Sequence, residues 1–124
     1  MPGAAVAALL KWKEDFLKDK VKALDDRITH NNARIAHLKT LPDTEQQIES
    51  FEHINAGLEA DKKDVEEELS RFKNGSDGKK YNMAKRNIGN KIHRLQKDAT
   101  AADLTAAAQL IDIEEKATAE MATE

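Results

Sequence analysis

Four histidines are the side chains of this sequence best suited to binding a metal ion: His30, His37, His53 and His93. A di-iron centre in a helical bundle takes Glu-x-x-His pairs from two helices, with both side chains facing inward. The residues three positions before the histidines are Arg27, Arg34, Ser50 and Asn90. Since none of them is a glutamate, the sequence predicts no such centre. His30 and His37 are interpreted as solvated helix residues.

The acidic clusters are the remaining candidates for acid–base chemistry. Glu66, Glu67 and Glu68 follow one another, as do Asp25 and Asp26. Catalytic carboxylate pairs need a cleft that shifts their pKa values apart, whereas both clusters lie in helical runs that favour solvated faces. The sequence has no cysteine, no glycine-rich phosphate loop and no serine in a recognisable triad. We therefore predict a protein that is not an enzyme and holds no cofactor.

The composition indicates helices with narrow apolar stripes. Charged residues make up 35% of the 124 residues and aromatic residues only 4%, and the mean hydropathy is -0.72. Such a chain lacks the material for a thick globular core but suits helices that each bury one stripe. Abundant Glu, Lys, Ala and Leu favour helix, and the two prolines leave most of the chain uninterrupted. We expect one all-α domain spanning residues 1–124.

Four helices are predicted, over residues 4–39, 44–73, 79–97 and 100–122. Pro42 ends the first helix. Asp43 or Thr44 can cap the second, and the spacing of Thr44 and Gln47 has the form of a capping box.

The later boundaries depend on turn and cap residues. Gly75, in the turn at residues 74–78, can take the left-handed conformation that ends a helix. Thr100 and Asp103 can cap the fourth helix. Because neither Gly nor Pro lies near residue 99, one continuous helix over residues 79–122 is an alternative.

The first two predicted helices each carry one seam of apolar residues, spaced alternately three and four positions apart. In the first helix the seam is Leu17, Val21, Leu24, Ile28, Asn31, Ile35 and Leu38. In the second helix it is Ile48, Phe51, Asn55, Leu58, Lys62, Val65, Leu69 and Phe72. Each seam contains one asparagine. A sustained seven-residue repeat of this kind predicts a coiled coil.

The two seams favour an antiparallel hairpin that turns near Asp43. In the register where the numbers of facing residues add up to 86, Asn31 faces Asn55 and the two amides can bond each other. A shift of one heptad places Asn55 against Leu38 or Leu24 instead. A buried amide without a partner costs about 1–3 kcal/mol. Asn31 and Asn55 are therefore predicted as the pair that fixes the hairpin register.

The start of the first helix carries a second apolar face, formed by Leu9, Trp12 and Phe16. This face can accept the last two helices, so we expect Trp12 to be substantially buried and residues 40–46 to be exposed. The predicted fold is all-α: a long antiparallel coiled-coil helical hairpin with one or two further helices packed at its base, which makes a three- or four-helix bundle.

Charge is segregated along the second half of the chain. Residues 79–97 carry seven cations and no acid, whereas residues 98–124 carry seven acids and one lysine. On a helical wheel the outward face of the basic helix, opposite Ile88, holds Lys79, Arg86, Asn90, His93 and Lys97. Such a face can bind phosphates or pair with the acidic last helix or a neighbouring subunit.

The leading interpretation is a non-enzymatic structural or interaction protein that acts through helical coiled-coil contacts in a larger assembly, such as a virion or another macromolecular complex. A protein partner or a homo-oligomer is expected, because the last predicted helix has two apolar stripes and one packing contact buries only one. The alternative is a nucleic-acid-binding protein that uses the basic helix 79–97. Few aromatic residues are present to stack bases, so protein contacts are preferred.

The apolar run at residues 4–10 is too short to cross a membrane, which takes about 20 apolar residues. No basic region precedes it, as a signal peptide requires. We expect no membrane contact, no secretion by a classical signal, and an intracellular (cytoplasmic) or virion-internal location.

Overall fold

The computed structural model describes residues 3–98 and 100–122, and within them the side chains of all residues except 94–98. The described residues form four helices and no strand. They are α1 (Ala4–Leu38), α2 (Glu45–Asn74), α3 (Asp77–Asp98) and α4 (Ala101–Ala122). The prediction of an all-α helical bundle is thereby confirmed, and the helix bounds lie within two residues of those expected.

The contacts within the chain divide it into two compact units. Unit 1 combines the described residues up to Asp15 with those from Phe72 onward. Unit 2 runs from Phe16 to Arg71. The start of α1 with α3 and α4 therefore belongs to unit 1, and the rest of α1 with nearly all of α2 belongs to unit 2. A single domain over residues 1–124 stays a prediction.

Unit 2 buries residues at alternating steps of three and four along both of its helices. Its buried apolar side chains are Leu17, Ile28, Ile35, Leu58 and Val65. The other seam positions of unit 2 are half-buried, and nearly all positions between them are exposed. This is the burial pattern of helices that each pack one narrow stripe.

The connection between α1 and α2 is held by Thr44, which is buried although it lies in an otherwise exposed turn. Its hydroxyl donates a hydrogen bond to the Leu38 carbonyl at 2.7 Å and contacts the Leu41 carbonyl at 3.3 Å. The Thr44 side chain thus ties the residue before α2 to the last carbonyl of α1, which also accepts the Leu41 N–H at 3.0 Å. The preceding Asp43 has a φ of 61°, a left-handed conformation that Asp tolerates better than most residues.

The connection between α2 and α3 corrects one expectation. Among the described glycines none has a positive φ, so the left-handed conformation predicted for Gly75 is wrong. The Gly75 N–H instead bonds the Phe72 carbonyl at 3.3 Å, a tight turn that needs only right-handed backbone. Ser76 follows as the cap of α3, and its carbonyl accepts the Lys80 N–H at 2.9 Å.

The connection between α3 and α4 is a helix break. α3 ends at Asp98 and α4 begins at Ala101, so one continuous helix over residues 79–122 is excluded. Thr100 and Asp103 form a reciprocal cap: each residue's side chain accepts the backbone N–H of the other at 3.2 Å. The Thr100 hydroxyl also donates to the Asp103 carboxylate at 2.9 Å. The hydrogen bonds that the carboxylate accepts from the Thr100 N–H and hydroxyl lower the pKa of Asp103 below its ordinary value of 3.8.

The core of unit 1 joins the start of α1 to α3 and α4. Its buried residues are Val6, Leu9, Tyr81, Ala84, Ile88, Leu110 and Ala117. Trp12 packs against this cluster and is half-buried. Lys13 is completely buried, which the apolar pattern does not indicate.

The first turn of α1 is capped by a residue from the far end of the chain. The Glu120 carboxylate accepts the Ala5 N–H at 3.1 Å and the Val6 N–H at 3.0 Å. A Cβ atom at Gly3 would collide with the same carboxylate. Since N–H groups in the first turn have no partner within the helix, and negative charge is stabilised there, Glu120 fastens α4 to the beginning of α1.

Candidate interaction surfaces

The outward face of α3 is the predicted basic surface. Lys79, Arg86, Asn90 and His93 are exposed, and Ile88 on the opposite face is buried. The side chain of Lys97 lies outside the described residues. Within the described part of the chain, Lys79 and Arg86 are not in an ion pair. The face therefore carries positive charge that no acidic side chain among the described residues pairs with.

Three other cations of α3 are used inside unit 1. Lys85 lies 3.4 Å from the Glu114 carboxylate of α4. Lys91 Nζ lies 5.9 Å from the centre of the Trp12 ring, and Lys80 Nζ lies 6.0 Å from that of Phe72. Cations at such distances are attracted to the ring faces. Some cations of α3 therefore stabilise unit 1, whereas Lys79 and Arg86 remain on its outward surface.

A chain of polar contacts connects α3 to α4. The Thr118 hydroxyl donates to the Glu114 carbonyl at 2.8 Å, and the Tyr81 hydroxyl lies 2.7 Å from the Thr118 oxygen. Because the single hydrogen of Thr118 is used on Glu114, Tyr81 is the donor in the second bond. Together with the Lys85–Glu114 ion pair, these contacts set α3 and α4 antiparallel.

The two apolar stripes predicted on α4 differ in burial. The first stripe is Ala106, Leu110, Ile113, Ala117 and Met121, and all of these except Ala106 are buried or half-buried. The second, which we call the outer stripe, is Leu104, Ala108 and Ile111. Leu104 is 58% exposed and Ile111 is 40% exposed. One stripe therefore packs in unit 1 and the outer stripe faces outward.

A cleft between α3 and α4 lies beside the outer stripe. We call it the Gly89 cleft; it is lined by Lys85, Ile88, Gly89, Ile92, Ile111 and Glu114 and encloses about 240 Å³. A Cβ atom built on Gly89 would have no neighbour within 4 Å. A glycine inside a helix costs about 1 kcal/mol relative to alanine, and no close helix packing within the described chain accounts for it here.

Unit 2 contains a short asparagine network. Asn31 donates a hydrogen bond to Asn55 Oδ1 at 2.9 Å, and Asn55 donates to Asn32 Oδ1 at 2.9 Å. Asn31 and Asn55 are half-buried, whereas Asn32 is exposed. The network continues from the seam to the surface, so Asn55 has a partner on each side.

The seam lysine of α2 is also accommodated by a polar contact. Lys62 Nζ lies 2.9 Å from the Asp25 carboxylate of α1 and 3.8 Å from Glu66. The hydrogen bond to Asp25 raises the pKa of Lys62 above its ordinary value. The ammonium group therefore remains charged beside the apolar seam, with its stem along the seam and its head at the edge.

Sequence patterns missed two residues of unit 1 that the structure places at central positions. In the sequence Glu120 is only one of the acids of the last segment, whereas its contact with Ala5 and Val6 spans almost the whole chain. Lys13 lies one residue after Trp12 and outside the apolar face of Leu9, Trp12 and Phe16. No local motif marks either residue, since each role depends on contacts between distant segments.

The described residues contain neither a metal-binding cluster nor a membrane helix. All four histidines are exposed. In residues 3–98 and 100–122 no group of three or more His, Asp or Glu side chains is placed to hold a metal ion. None of the helices in this part of the chain combines the length and apolarity of a membrane span.

No protein-family model, curated protein or solved structure matches the chain.

Proposed function

We propose that this protein is a non-enzymatic interaction protein that joins a larger assembly through helical contacts. The observation that carries the proposal is the outer stripe of α4. Leu104 and Ile111 expose large apolar side chains two helical turns apart on the same face. An apolar row on a helix that is already packed on its other side is suited to covering by another protein.

We further propose that unit 2 is an antiparallel coiled-coil hairpin, which supports the same function. The buried and half-buried positions repeat at the three- and four-residue spacing of a coiled-coil seam. The contacts between Asn31 and Asn55 and between Lys62 and Asp25 fit the antiparallel register with facing numbers near 86. The long exposed flanks of such a hairpin are available to a protein partner. Among them Ile54 of α2, a large apolar side chain, is 47% exposed.

The experiment places a photoreactive amino acid at Leu104 or at Ile111 in the cells that make the protein. The control position is Gln109, which is exposed on a different face of α4. We expect a discrete protein adduct from positions 104 and 111 and none from 109, with the attached peptide identified by mass spectrometry. Equal labelling at all three positions, or no protein adduct at any of them, would overturn the proposal.

The second candidate function is nucleic-acid binding by α3. The observation in its favour is the exposure of Lys79 and Arg86, which within the described residues have no acidic partner. Lysine and arginine on one helix face neutralise phosphates without reading sequence. Nucleic acid recovered on a photoreactive residue at Asn90, in place of protein at Leu104 and Ile111, would promote this candidate above the first.

A further inference from the structure

The pair Asn74–Gly75 lies where α2 ends. Asn74 is the last residue of the helix, and its side chain is exposed. Gly75 and Ser76 form the short connection to α3, outside both helices. Because helix ends open more readily than helix centres, the Asn74 amide and the peptide bond that follows it can leave their helical geometry without the unfolding of α2.

The glycine of this pair is not required by the backbone of the turn. Its φ is not positive, so its conformation is one that other residues also adopt. The Gly75 N–H bonds the Phe72 carbonyl at 3.3 Å, which is longer than the typical N–H···O distance of about 2.9–3.0 Å. Because glycine has no Cβ atom, no side chain of its own shields the Gly75 nitrogen. The nitrogen is therefore weakly held and sterically open.

This arrangement suits a known weakness of asparagine, a thermolabile residue. The Gly75 nitrogen loses its proton to water and attacks Cγ of Asn74. The new N–Cγ bond closes a five-membered imide ring, and the Cγ–Nδ2 bond breaks, so that the amide nitrogen takes up a proton and leaves as ammonia. Water then opens the ring. Cleavage of the N–Cγ bond gives aspartate, and cleavage at the main-chain carbonyl carbon of residue 74 gives isoaspartate.

We propose that Asn74 is a site of spontaneous modification in the folded protein, with water as the reagent and aspartate or isoaspartate as the product. The inference does not depend on the proposed interaction function. Either product places negative charge on the last residue of α2, at the negative end of the helix dipole. Isoaspartate also lengthens the main chain by one methylene where α2 joins α3. The modification should therefore weaken the last turn of α2.

Incubation of the purified folded protein at neutral and at mildly alkaline pH tests the proposal, with peptide mapping by mass spectrometry at successive times. We expect loss of the Asn74 amide, seen as the mass gained when NH2 is replaced by OH. The loss should be faster at alkaline pH, because the attacking nitrogen must first give up its proton. Asn90 is the internal control, since it is exposed like Asn74 but lies inside α3 and precedes Lys91. It should keep its amide over the same period.

Two glycine variants test the role of the attacking nitrogen. Gly75→Ala puts a methyl group beside that nitrogen and should suppress the loss of the Asn74 amide. Gly78→Ala is the matched control, because Gly78 also lies near the connection, has nothing near its missing Cβ and does not follow an asparagine. It should leave the rate at Asn74 unchanged. Circular dichroism checks that both variants keep the helix content of the wild type.

The wild type in guanidinium chloride gives the rate for the unfolded chain. An Asn74 amide that is lost there but stays intact in the folded protein would overturn the proposal, because the end of α2 would then protect it. Equal rates in Gly75→Ala and wild type would overturn it as well. If Gly75→Ala lost helix content, the comparison of Asn74 with Asn90 in the folded wild type would decide alone. Photoreactive labelling at Leu104 and Ile111 tests the interaction function separately, whatever happens at Asn74.

Discussion

Asn31 donates a hydrogen bond to the side-chain oxygen of Asn55 at 2.9 Å, and the side-chain amide of Asn55 donates a hydrogen bond to that of Asn32. The three amides form a directional chain in which Asn55 is the central member. Because Asn55 makes two of these hydrogen bonds and Asn31 makes one, replacing Asn55 should cost more stability than replacing Asn31.

Replacing Asn55 with Leu should destabilise the protein more than replacing Asn31 with Leu. The Asn55 change removes both bonds and leaves the half-buried Asn31 amide without its partner, at a cost of about 1–3 kcal/mol. The double change removes both amides from the seam and should recover stability, with a coupling energy of about 0.5–3 kcal/mol. Urea unfolding of the single and double variants measures this difference, and strictly additive effects would contradict it.

Removal of the Glu120 carboxylate should loosen the junction between α4 and the start of α1. Glu120→Ala removes the acceptor for the Ala5 and Val6 N–H groups, and a lost helix cap costs about 0.5–2 kcal/mol. Glu120→Gln keeps one oxygen and should lose less. Hydrogen exchange of the Ala5 and Val6 amides reports the effect locally; unchanged protection in Glu120→Ala would argue against the cap.

The cap of α4 predicts a pH dependence. The pKa of Asp103 is lowered in the folded protein by hydrogen bonds from Thr100, so its stabilising contribution is present above the ordinary value of 3.8 and is lost as pH falls through the lowered pKa. Asp103→Asn should therefore be less stable than wild type near pH 7.

The difference between wild type and Asp103→Asn should shrink as acid is added below pH 3.8. Asp112→Asn is the control on the same helix, because Asp112 pairs with Lys116 on the surface and surface pairs contribute little. Thermal unfolding followed at several pH values makes the comparison. A difference between Asp103→Asn and wild type that stays constant down to pH 2 would refute the role of the ionised carboxylate.

The basic face of α3 can be tested with one triple variant. Changing Lys79, Arg86 and Lys97 to Gln removes three positive charges from the outward face of α3. We expect a lower mass or stability of the protein's assembly, because Lys79 and Arg86 are exposed and would no longer offer positive charge to an acidic protein partner. Sedimentation at low and high salt gives the readout. Tight, salt-sensitive binding of the wild type to DNA or RNA that is lost in the variant would instead favour the nucleic-acid alternative.

Local sequence signals predicted those parts of the fold that depend on neighbouring residues. The helix bounds follow from apolar spacing and from caps such as Thr100 with Asp103. The facing of Asn31 and Asn55 followed from a choice between a few registers, because a wrong register leaves a polar group unpaired.

Features that depend on distant segments were not predictable in the same way. Nothing near Glu120 indicates that it caps α1, since the partner residues are 115 and 114 positions away. Thr44 carries the expected capping side chain, but the geometry of the turn directs its hydroxyl to Leu38. Lys13 is likewise completely buried although no local motif indicates it.

The contacts of unit 2 and of unit 1 join residues at very different separations along the chain, and this should affect the order in which they form during folding. In unit 2 the contacts extend outward from the turn, from Thr44 with Leu38, through Asn31 with Asn55, to Lys62 with Asp25. The sequence separations that they bridge grow from 6 to 24 to 37 residues, and because the entropy cost of closing a loop rises only with the logarithm of its length, each step adds a modest cost. The Glu120 contact in unit 1 must instead join segments 115 residues apart. We expect unit 2 to form in the folding transition state and the Glu120 contact after it, so that Glu120→Ala accelerates unfolding while leaving the folding rate nearly unchanged.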